Sequence, residues 1–312
     1  LIRPMDDLVA KYGKGLQKSQ LITIDGKVMA VAFMANTQHL YYREDILNEL
    51  GIAVPKTYEE VIAAAEKMRS SGKLLNPYAG AYKAGWNLAE EFVNMFLGHG
   101  GEFFKPGSAE PNINNKKGVA TLKMLKKLAG YSNPDFLTHD SEAIKVEWEA
   151  GKVGLMTLWA SRSGTLLDDD GDPAITAATK LAAPATVGGG SIPAATLWWD
   201  GFMLAKNRSD KDAEASFQAL VHAATSKKMA NDASDQAVWL VEGFKPGPKS
   251  LGVLAAARMG ANPYPMLAQM SLMHGALGSE IVDFLKGKET AEQALADTEA
   301  AYRGKAKEKG FL

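Results

Sequence analysis

Cysteine is absent from all 312 residues. That removes disulfides, thiolate metal sites and cysteine nucleophiles together, and leaves the redox compartment open. An excess of charge of either sign is also missing: 35 basic against 36 acidic side chains leave a net charge of −1. Without a positive field to hold phosphates, nucleic acid is not an expected partner. No apolar run approaches the roughly 18 residues of a membrane span. The opening residues, Leu1-Ile-Arg-Pro-Met-Asp-Asp-Leu8 and on to Gly13, lack the basic stretch and apolar core of a secretory signal. They read as an extended approach followed by a short helix. Hydrophobic residues make up 46% and charged residues 23%, the balance of a packed soluble protein, and the length suits two domains of about 150 residues.

Elements of both types alternate along the chain. Lys27 to Met34 is an apolar, β-rich run after an Asp25-Gly26 turn, and Leu40-Tyr41-Tyr42 continues as a second strand. Arg43 to Leu50 reads as a short helix closed by Gly51. Thr57-Tyr-Glu-Glu60 is a capping box, after which Val61, Ala64, Ala65 and Met68 share one helical face. Further helices are expected over Trp86 to Leu97, Lys116 to Leu128 and Ser141 to Ala150, with strands over Val153 to Leu158 and Leu197 to Ala205. From Asp210 onward nearly everything reads as helical, with breaks at Gly243 to Pro248 and Asn262 to Pro265, and Thr290 caps the last long helix. Strands mixed with helices, ending in a helix-rich tail, point to an α/β fold.

Most catalytic signatures are missing. The histidines at 39, 99, 139, 222 and 274 never take metal-ligand spacing, and no nucleophile elbow, phosphate-binding loop or dinucleotide fingerprint occurs. The acidic run Asp168-Asp-Asp-Gly-Asp172 lacks the alternating oxygen ligands and following glutamate of a calcium loop. Gly188-Gly-Gly-Ser191 reads as a plain loop. Neither a metal nor a cofactor is expected. Adjacent Glu90 and Glu91 point to different helix faces and make a poor acid–base pair, although either could combine with a distant carboxylate such as Asp200 in a glycoside-processing enzyme.

What is conspicuous is tryptophan at element ends. Trp86, Trp159, Trp198, Trp199 and Trp239 fall near breaks in regular structure, beside Asn87, Ser161, Asp200 and Glu242. Aromatic faces pack on the C–H faces of sugar rings while short polar side chains bond the hydroxyls, so this pairing of residue types suits a polyhydroxylated ligand.

Several ordered blocks carry a resemblance. Gly26-Lys-Val-Met-Ala-Val-Ala-Phe33, Leu40-Tyr-Tyr-Arg-Glu-Asp-Ile-Leu-Asn-Glu-Leu-Gly-Ile52 and Val54-Pro-Lys-Thr-Tyr-Glu-Glu-Val61 resemble the signature of the bacterial extracellular solute-binding proteins, family 1. These are the maltose-binding-protein-like carbohydrate-binding subunits of ABC importers. Gly98-His-Gly-Gly-Glu-Phe-Phe104 resembles the family's double-glycine helix exit. Glu149-Ala-Gly-Lys-Val-Gly-Leu-Met-Thr-Leu-Trp159 resembles the strand leading to a cleft tryptophan, and Trp199-Asp-Gly-Phe-Met-Leu-Ala205 the returning hinge strand. The last blocks, Gln269-Met-Ser and Gly287 to Asp297, resemble its closing helices.

The resemblance implies a type II periplasmic-binding-protein fold of two α/β lobes joined by hinge strands, with ligand in the cleft. It places residues 1–35 and 202–248 in the first lobe, 41–196 and 249–312 in the second, and crossovers at 36–40 and 197–201. It implies ligand contacts from Asn36 and Gln38 on the first crossover, Trp86, Glu90 and Glu91 on the helix before the double glycine, and Trp159 after its strand. Trp199, Asp200 and Gly201 would serve at the returning hinge, Trp239 and Glu242 beside the Gly-Pro-rich loop, and His274 where maltose-type members place a stacking aromatic. That last departure favours a smaller or more polar ligand than a long malto-oligosaccharide. The implied protein is a periplasmic or membrane-tethered extracellular monomer that carries a mono- or disaccharide or polyol to ABC permease subunits. A non-sugar or anionic solute is the alternative, with Arg162 and Lys83 as the cations near the cleft. Family members carry a β-α-β unit ahead of the block matched by Leu1 to Leu8, so these residues are expected to belong to a longer functional polypeptide.

Overall fold

A computed structural model describes residues 1–168, 170–231 and 233–312. Its strands collect into two separate four-stranded sheets and a two-stranded ribbon. The first sheet grows from the Asp-Gly turn. Asp25 and Gly26 both take left-handed backbone, at φ 50° and 75°, as a two-residue hairpin turn requires. They join strands Leu21–Ile24 and Lys27–Asn36 in antiparallel register. With strand β1 at Ile2–Arg3, these are β2 and β3.

The chain then leaves this sheet at Thr37. The next strand, β4 (Gln38–Arg43), lies in the second sheet, whose order is β5 (Tyr78–Ala79), β6 (Leu155–Trp159), β4, β7 (Thr179–Leu181). It returns in β8 (Trp198–Phe202), antiparallel to β3, and in β9 (Leu204–Ala205), which pairs with β1. Finally β10 (Val238–Trp239) joins β3 on the edge opposite β8.

Strand alternation builds the cores. Along β6, Leu155 faces a large apolar cluster, whereas Met156 and Leu158 face a second one with Tyr41 and Trp148. The first of these holds the helices Tyr58–Ser70, Trp86–Gly98 and Lys116–Ala129, together with the C-terminal helices Met270–Glu280 and Ala291–Glu308. Trp148 is 1% exposed and its indole N–H donates to Thr179 Oγ1 at 3.0 Å, so its one polar atom is satisfied inside the core. The first sheet packs Val28 and Val31, and the ribbon Leu204, against Met5 and against Phe217 and Val221 of the helix Asp210–Ala224. The result is the expected α/β architecture of two lobes.

Caps follow the sequence signals. Thr57 accepts from the Glu60 amide while the Glu60 carboxylate accepts from the Thr57 amide, and Thr290 accepts from the Gln293 amide. Two expectations need correction. The run 197–205 is not one strand but breaks at Met203 into β8 and β9, which pair with different partners. The stretch after 231 is not helical throughout, because Val238 and Trp239 pair with Ala35 and Met34; a two-residue strand formed by distant pairing has no periodicity to read. Within the acidic run, Asp169 lies outside the described residues, as does Asp232 in the tail.

Candidate ligand-binding site

Both crossovers meet the middle of the helix Trp86–Gly98, Gln38 at Asn94 and Thr196 at Glu90 and Asn94, and they are tied to each other: the Thr37 hydroxyl donates to the Thr196 carbonyl at 2.8 Å. Around this junction two adjoining cavities open. One, of about 360 Å³, is lined by Asn36, Trp86, Asn87, Ser141, Trp159, Ser161, Arg162, Trp198 and Asp200. The other, of about 330 Å³, is lined by Gly85, Trp86, Trp198, Tyr264, Ser271, His274 and Gly275. Trp86 and Trp198 are common to both, and each volume falls within the range of roughly 300–1,000 Å³ usual for small-molecule sites. A larger groove of about 840 Å³ runs between the loop 100–109 and the segment 262–269. Its walls carry Phe103, Phe104, Leu97 and Leu267 among glycines and prolines but no tryptophan, so the paired cavities, where tryptophans gather, are the candidate site.

Four aromatic side chains wall the two cavities, Trp86 and Trp198 in both, Trp159 in the first and Tyr264 in the second. The Trp198 ring centroid lies 4.4 Å from Tyr264, 5.9 Å from Trp86 and 6.0 Å from Trp159, and Trp86 lies 6.3 Å from Trp159. None of these pairs is a flat stack, and Trp86, Trp159 and Trp198 all keep some exposed surface.

Each ring is held by backbone chemistry. Trp86 is the first residue of its helix, after Gly85 at φ 100°, a conformation that only glycine takes without strain. The Gly85 amide donates to the Gly278 carbonyl at 3.0 Å, and a Cβ at Gly278 would strike the Gly85 backbone. Trp86 itself is 50% exposed. Its carbonyl accepts from His274 Nε2 at 3.0 Å, and the Tyr264 hydroxyl lies 2.9 Å from His274 Nδ1. A carbonyl only accepts, so Nε2 carries the proton and Nδ1 receives the tyrosine's. Burial, which lowers the His274 pKa, keeps this neutral form. Trp159 ends β6; its carbonyl accepts from Tyr41 at 3.0 Å and the next amide, Ala160, donates to Thr37 O at 2.8 Å. Asn36 closes the other side, with Oδ1 accepting from the Ser161 amide and Nδ2 donating to Ser161 Oγ, both at 3.2 Å.

Of the residues expected from sequence, Asn36, Trp86, Trp159, Asp200 and His274 line these cavities. Asp200 is the cavity's carboxylate, raised above its ordinary pKa by burial against the walls. Arg162 lines the same cavity but is engaged by Glu142 at 3.0 Å; Lys83 pairs with Asp140 and lines neither cavity.

The other candidates lie elsewhere. Trp199 and Gly201 alternate to the opposite side of β8 from Trp198 and Asp200, and the Trp199 ring sits over Gly201. Trp239 donates to the Ala233 carbonyl at 2.7 Å and packs near Phe33, and Glu242 is solvent-exposed outside both cavities. Gln38, Glu90 and Glu91 are buried behind the aromatic wall, at 2%, 0% and 3% exposure. Desolvation pushes both glutamates up to about 8. Glu90 therefore cannot flank a scissile bond with Asp200, and the carboxylate-pair arrangement of a glycosidase is not formed.

Trp198 and Tyr264 line the candidate site although sequence reasoning left them out of the binding set. For Trp198 the signal was alternation: placing Asp200 in the cleft places Trp198 there too. For Tyr264 it was Pro263-Tyr264-Pro265, a tyrosine held between two rigid residues at a helix break.

A family model described as bacterial extracellular solute-binding protein matches residues 1–231. A Deinococcus radiodurans protein named "Probable ABC transporter-binding protein" is 31% identical over 224 residues, covering 68% of this chain and 51% of its own. A Sinorhizobium fredii protein named "Probable amino-acid ABC transporter periplasmic-binding protein y4oP" is 24% identical over 269 residues, covering 83% and 59%. The chain thus spans little more than half the length of these curated relatives. The solved structure of maltose-bound MalE3 from T. maritima matches with a TM-score of 0.84 at 18% identity, over 97% of this chain and 80% of that one. At that identity the match establishes the two-lobed fold.

Proposed function

The chain belongs to the bacterial extracellular solute-binding proteins, and from that membership we propose that it captures a neutral polyhydroxylated solute, a mono- or disaccharide or a polyol, for an ABC importer. One observation carries the reading: Trp86, Trp159, Trp198 and Tyr264 converge on two adjoining cavities whose rim is Asn36, Asn87, Ser141, Ser161 and Asp200. Indole and phenol faces pack on C–H groups, and the amides, hydroxyls and carboxylate bond alternating hydroxyls.

Capture needs no bond-making. Ligand settles first on the tryptophans of one lobe, and rotation about the crossovers at Thr37 and Thr196 brings β8, with Asp200, over it. Closure excludes water and strengthens every hydrogen bond inside. Micromolar affinity, about −8 kcal/mol, is within reach of two stacked rings and several hydrogen bonds. The closed monomer then docks on permease subunits in the membrane, from the periplasm or the outer face of the cell.

A thermal-shift panel of monosaccharides, disaccharides and polyols tests this. A ligand at 100 times its Kd adds about 2.7 kcal/mol, which raises the melting temperature by about 4 °C at this chain length. A panel in which no neutral sugar or polyol shifts melting would overturn the reading. A second reading, an anionic or zwitterionic solute, rests on Arg162 lining the same cavity as Asp200. The Glu142 partner already neutralises that guanidinium, which favours the neutral ligand. Including amino acids and phosphorylated polyols in the panel separates the two.

A further inference from the structure

Behind the aromatic wall lies a chain of buried polar groups that the binding role does not by itself require. Glu91, Gln38, Asn94, Thr196, Glu90 and Trp198 follow one another across three segments: the helix Trp86–Gly98, the first crossover and the returning one. Donors and acceptors along it can be assigned. Gln38 stands beside Glu91, and its Oε1 accepts from Asn94 Nδ2 at 3.3 Å, which turns Asn94 Oδ1 the other way. Asn94 Oδ1 then faces the Thr196 hydroxyl at 2.7 Å and takes its only proton. Thr196 Oγ1 is also 2.8 Å from Glu90 Oε1. With the threonine proton spent on Asn94, that contact is a hydrogen bond only if Glu90 supplies the hydrogen.

The surroundings agree. Glu90 is 0% exposed, its Oε2 has no partner, and among the described residues no lysine, arginine or histidine bonds to it. The titratable groups that face it are Glu91 on its own helix and Tyr264 from the 262–267 segment. Tyr58, Tyr78 and Tyr82 face Glu91 from the other side. His274, on the helix packed against this one, is held neutral. Among the described residues no cation compensates an anion here, and desolvation pushes the Glu90 carboxyl up to about 8.

We propose that Glu90 is a positioning residue of the binding site, which in its protonated form locks the returning crossover and the Trp198 indole in place, and that loss of this proton loosens both. This rests on the binding-site reading above for its consequence, but not for its mechanism. The proton leaves Glu90 for solvent, the Glu90–Thr196 bond opens, and the Trp198 N–H, 3.2 Å from Glu90 Oε1 and 2.7 Å from Thr196 Oγ1, turns wholly to the new carboxylate. The ring that stands between Trp86 and Tyr264 shifts with it. Glu90 acts on ligand only through Trp198, and in the protonated form the site is preorganised.

The test needs no ligand. In the full-length protein labelled with ¹⁵N at the indoles, the Trp198 Nε1–H cross-peak, assigned by its loss in Trp198→Phe, is followed from pH 6 to 9.5. The expected result is a titration of this peak with a midpoint near pH 8 in the wild type, and its loss in Glu90→Gln, which keeps the shape and the hydrogen bonds without the proton. A peak that stays flat in the wild type, or titrates equally in Glu90→Gln, overturns the proposal. Calorimetry with maltose as the probe adds the functional arm: tenfold weaker binding at pH 9 than at pH 6.5 in the wild type, and pH-independent binding in Glu90→Gln. Equal pH dependence in both proteins counts against the proposal, whereas a protein that binds no carbohydrate yet shows the indole titration supports it and removes the sugar reading alone.

Discussion

Replacing Trp159 by alanine separates binding from folding. Its ring is part-exposed at the end of β6, 6.0 Å from Trp198 and 6.3 Å from Trp86, on the wall of a cavity open to solvent. A tryptophan buries some 150–250 Å² in all; if about 60 Å² of one face covers ligand, its loss removes about 1.5 kcal/mol at 25 cal/mol per Å², or about tenfold in Kd. Stability changes little. The backbone anchors of this residue, Tyr41 to the Trp159 carbonyl and Ala160 to Thr37, survive truncation, and no closed cavity is made. Trp148→Ala is the contrasting control, because Trp148 is enclosed at 1% exposure and bonded to Thr179. It is expected to lose about 3–5 kcal/mol of stability and to leave affinity unchanged at temperatures where it remains folded. The assay is calorimetric titration of each variant with the sugar or polyol that gives the largest thermal shift, beside a melting curve. Affinity within twofold of wild type in Trp159→Ala would take this residue, and the tryptophan wall it completes, out of the site.

Other consequences follow from particular contacts. Glu90 and Glu91 hold protons in the fold up to about pH 8 that an unfolded chain releases near 4.5. Their contribution to stability is therefore whole below pH 4.5 and is lost as pH rises through 8. Urea unfolding between pH 5 and 9 should show stability falling, and the Glu90→Gln, Glu91→Gln double variant should flatten that fall; the depressed carboxyls of Asp45 and Asp140 titrate below this window. Gly278→Ala drives a methyl into the Gly85 backbone and should lower stability by about 1–3 kcal/mol while weakening ligand binding, since Gly85 sets the start of the Trp86 helix; an unchanged melting curve would show that the helices can part without harm. Arg162→Ala should leave neutral-sugar affinity within about threefold, because its guanidinium is engaged by Glu142; a collapse of binding would favour the anionic reading. Thr290→Ala removes the cap on the Gln293 amide and should lower stability by about 1 kcal/mol, read by denaturant titration.

The Asp25-Gly26 hairpin, the Thr57 capping box and the amphipathic faces of the helices were legible because each is a local rule applied to neighbouring residues. The crossover at Thr37 was legible only as a resemblance: nothing local distinguishes β3 from β4 except that their partners lie in different sheets. The site was half legible. Tryptophans at element ends pointed to the cleft, but which of Trp198 and Trp199 faces it depends on the register of β8 against β3, a long-range fact. The resemblance sets Glu90 and Glu91 at the cleft because their helix lines it, but Thr196 and Trp198 pack over Glu90, and Gln38 and Tyr58 against Glu91, so both are buried. Tyr264 joined the site from a loop 66 residues beyond Trp198 by its contact with that ring.

The measurement that bears most directly on the central claim is a crystal structure of the full-length protein with the tightest-binding solute from the thermal-shift panel. It is predicted to show a sugar ring or polyol chain against Trp159 and Trp198, with hydroxyls on Asn36 and Asp200 and the lobes closed. A ligand seated in the groove between the loop 100–109 and the segment 262–269, or one whose charged group displaces Glu142 from Arg162, would contradict it.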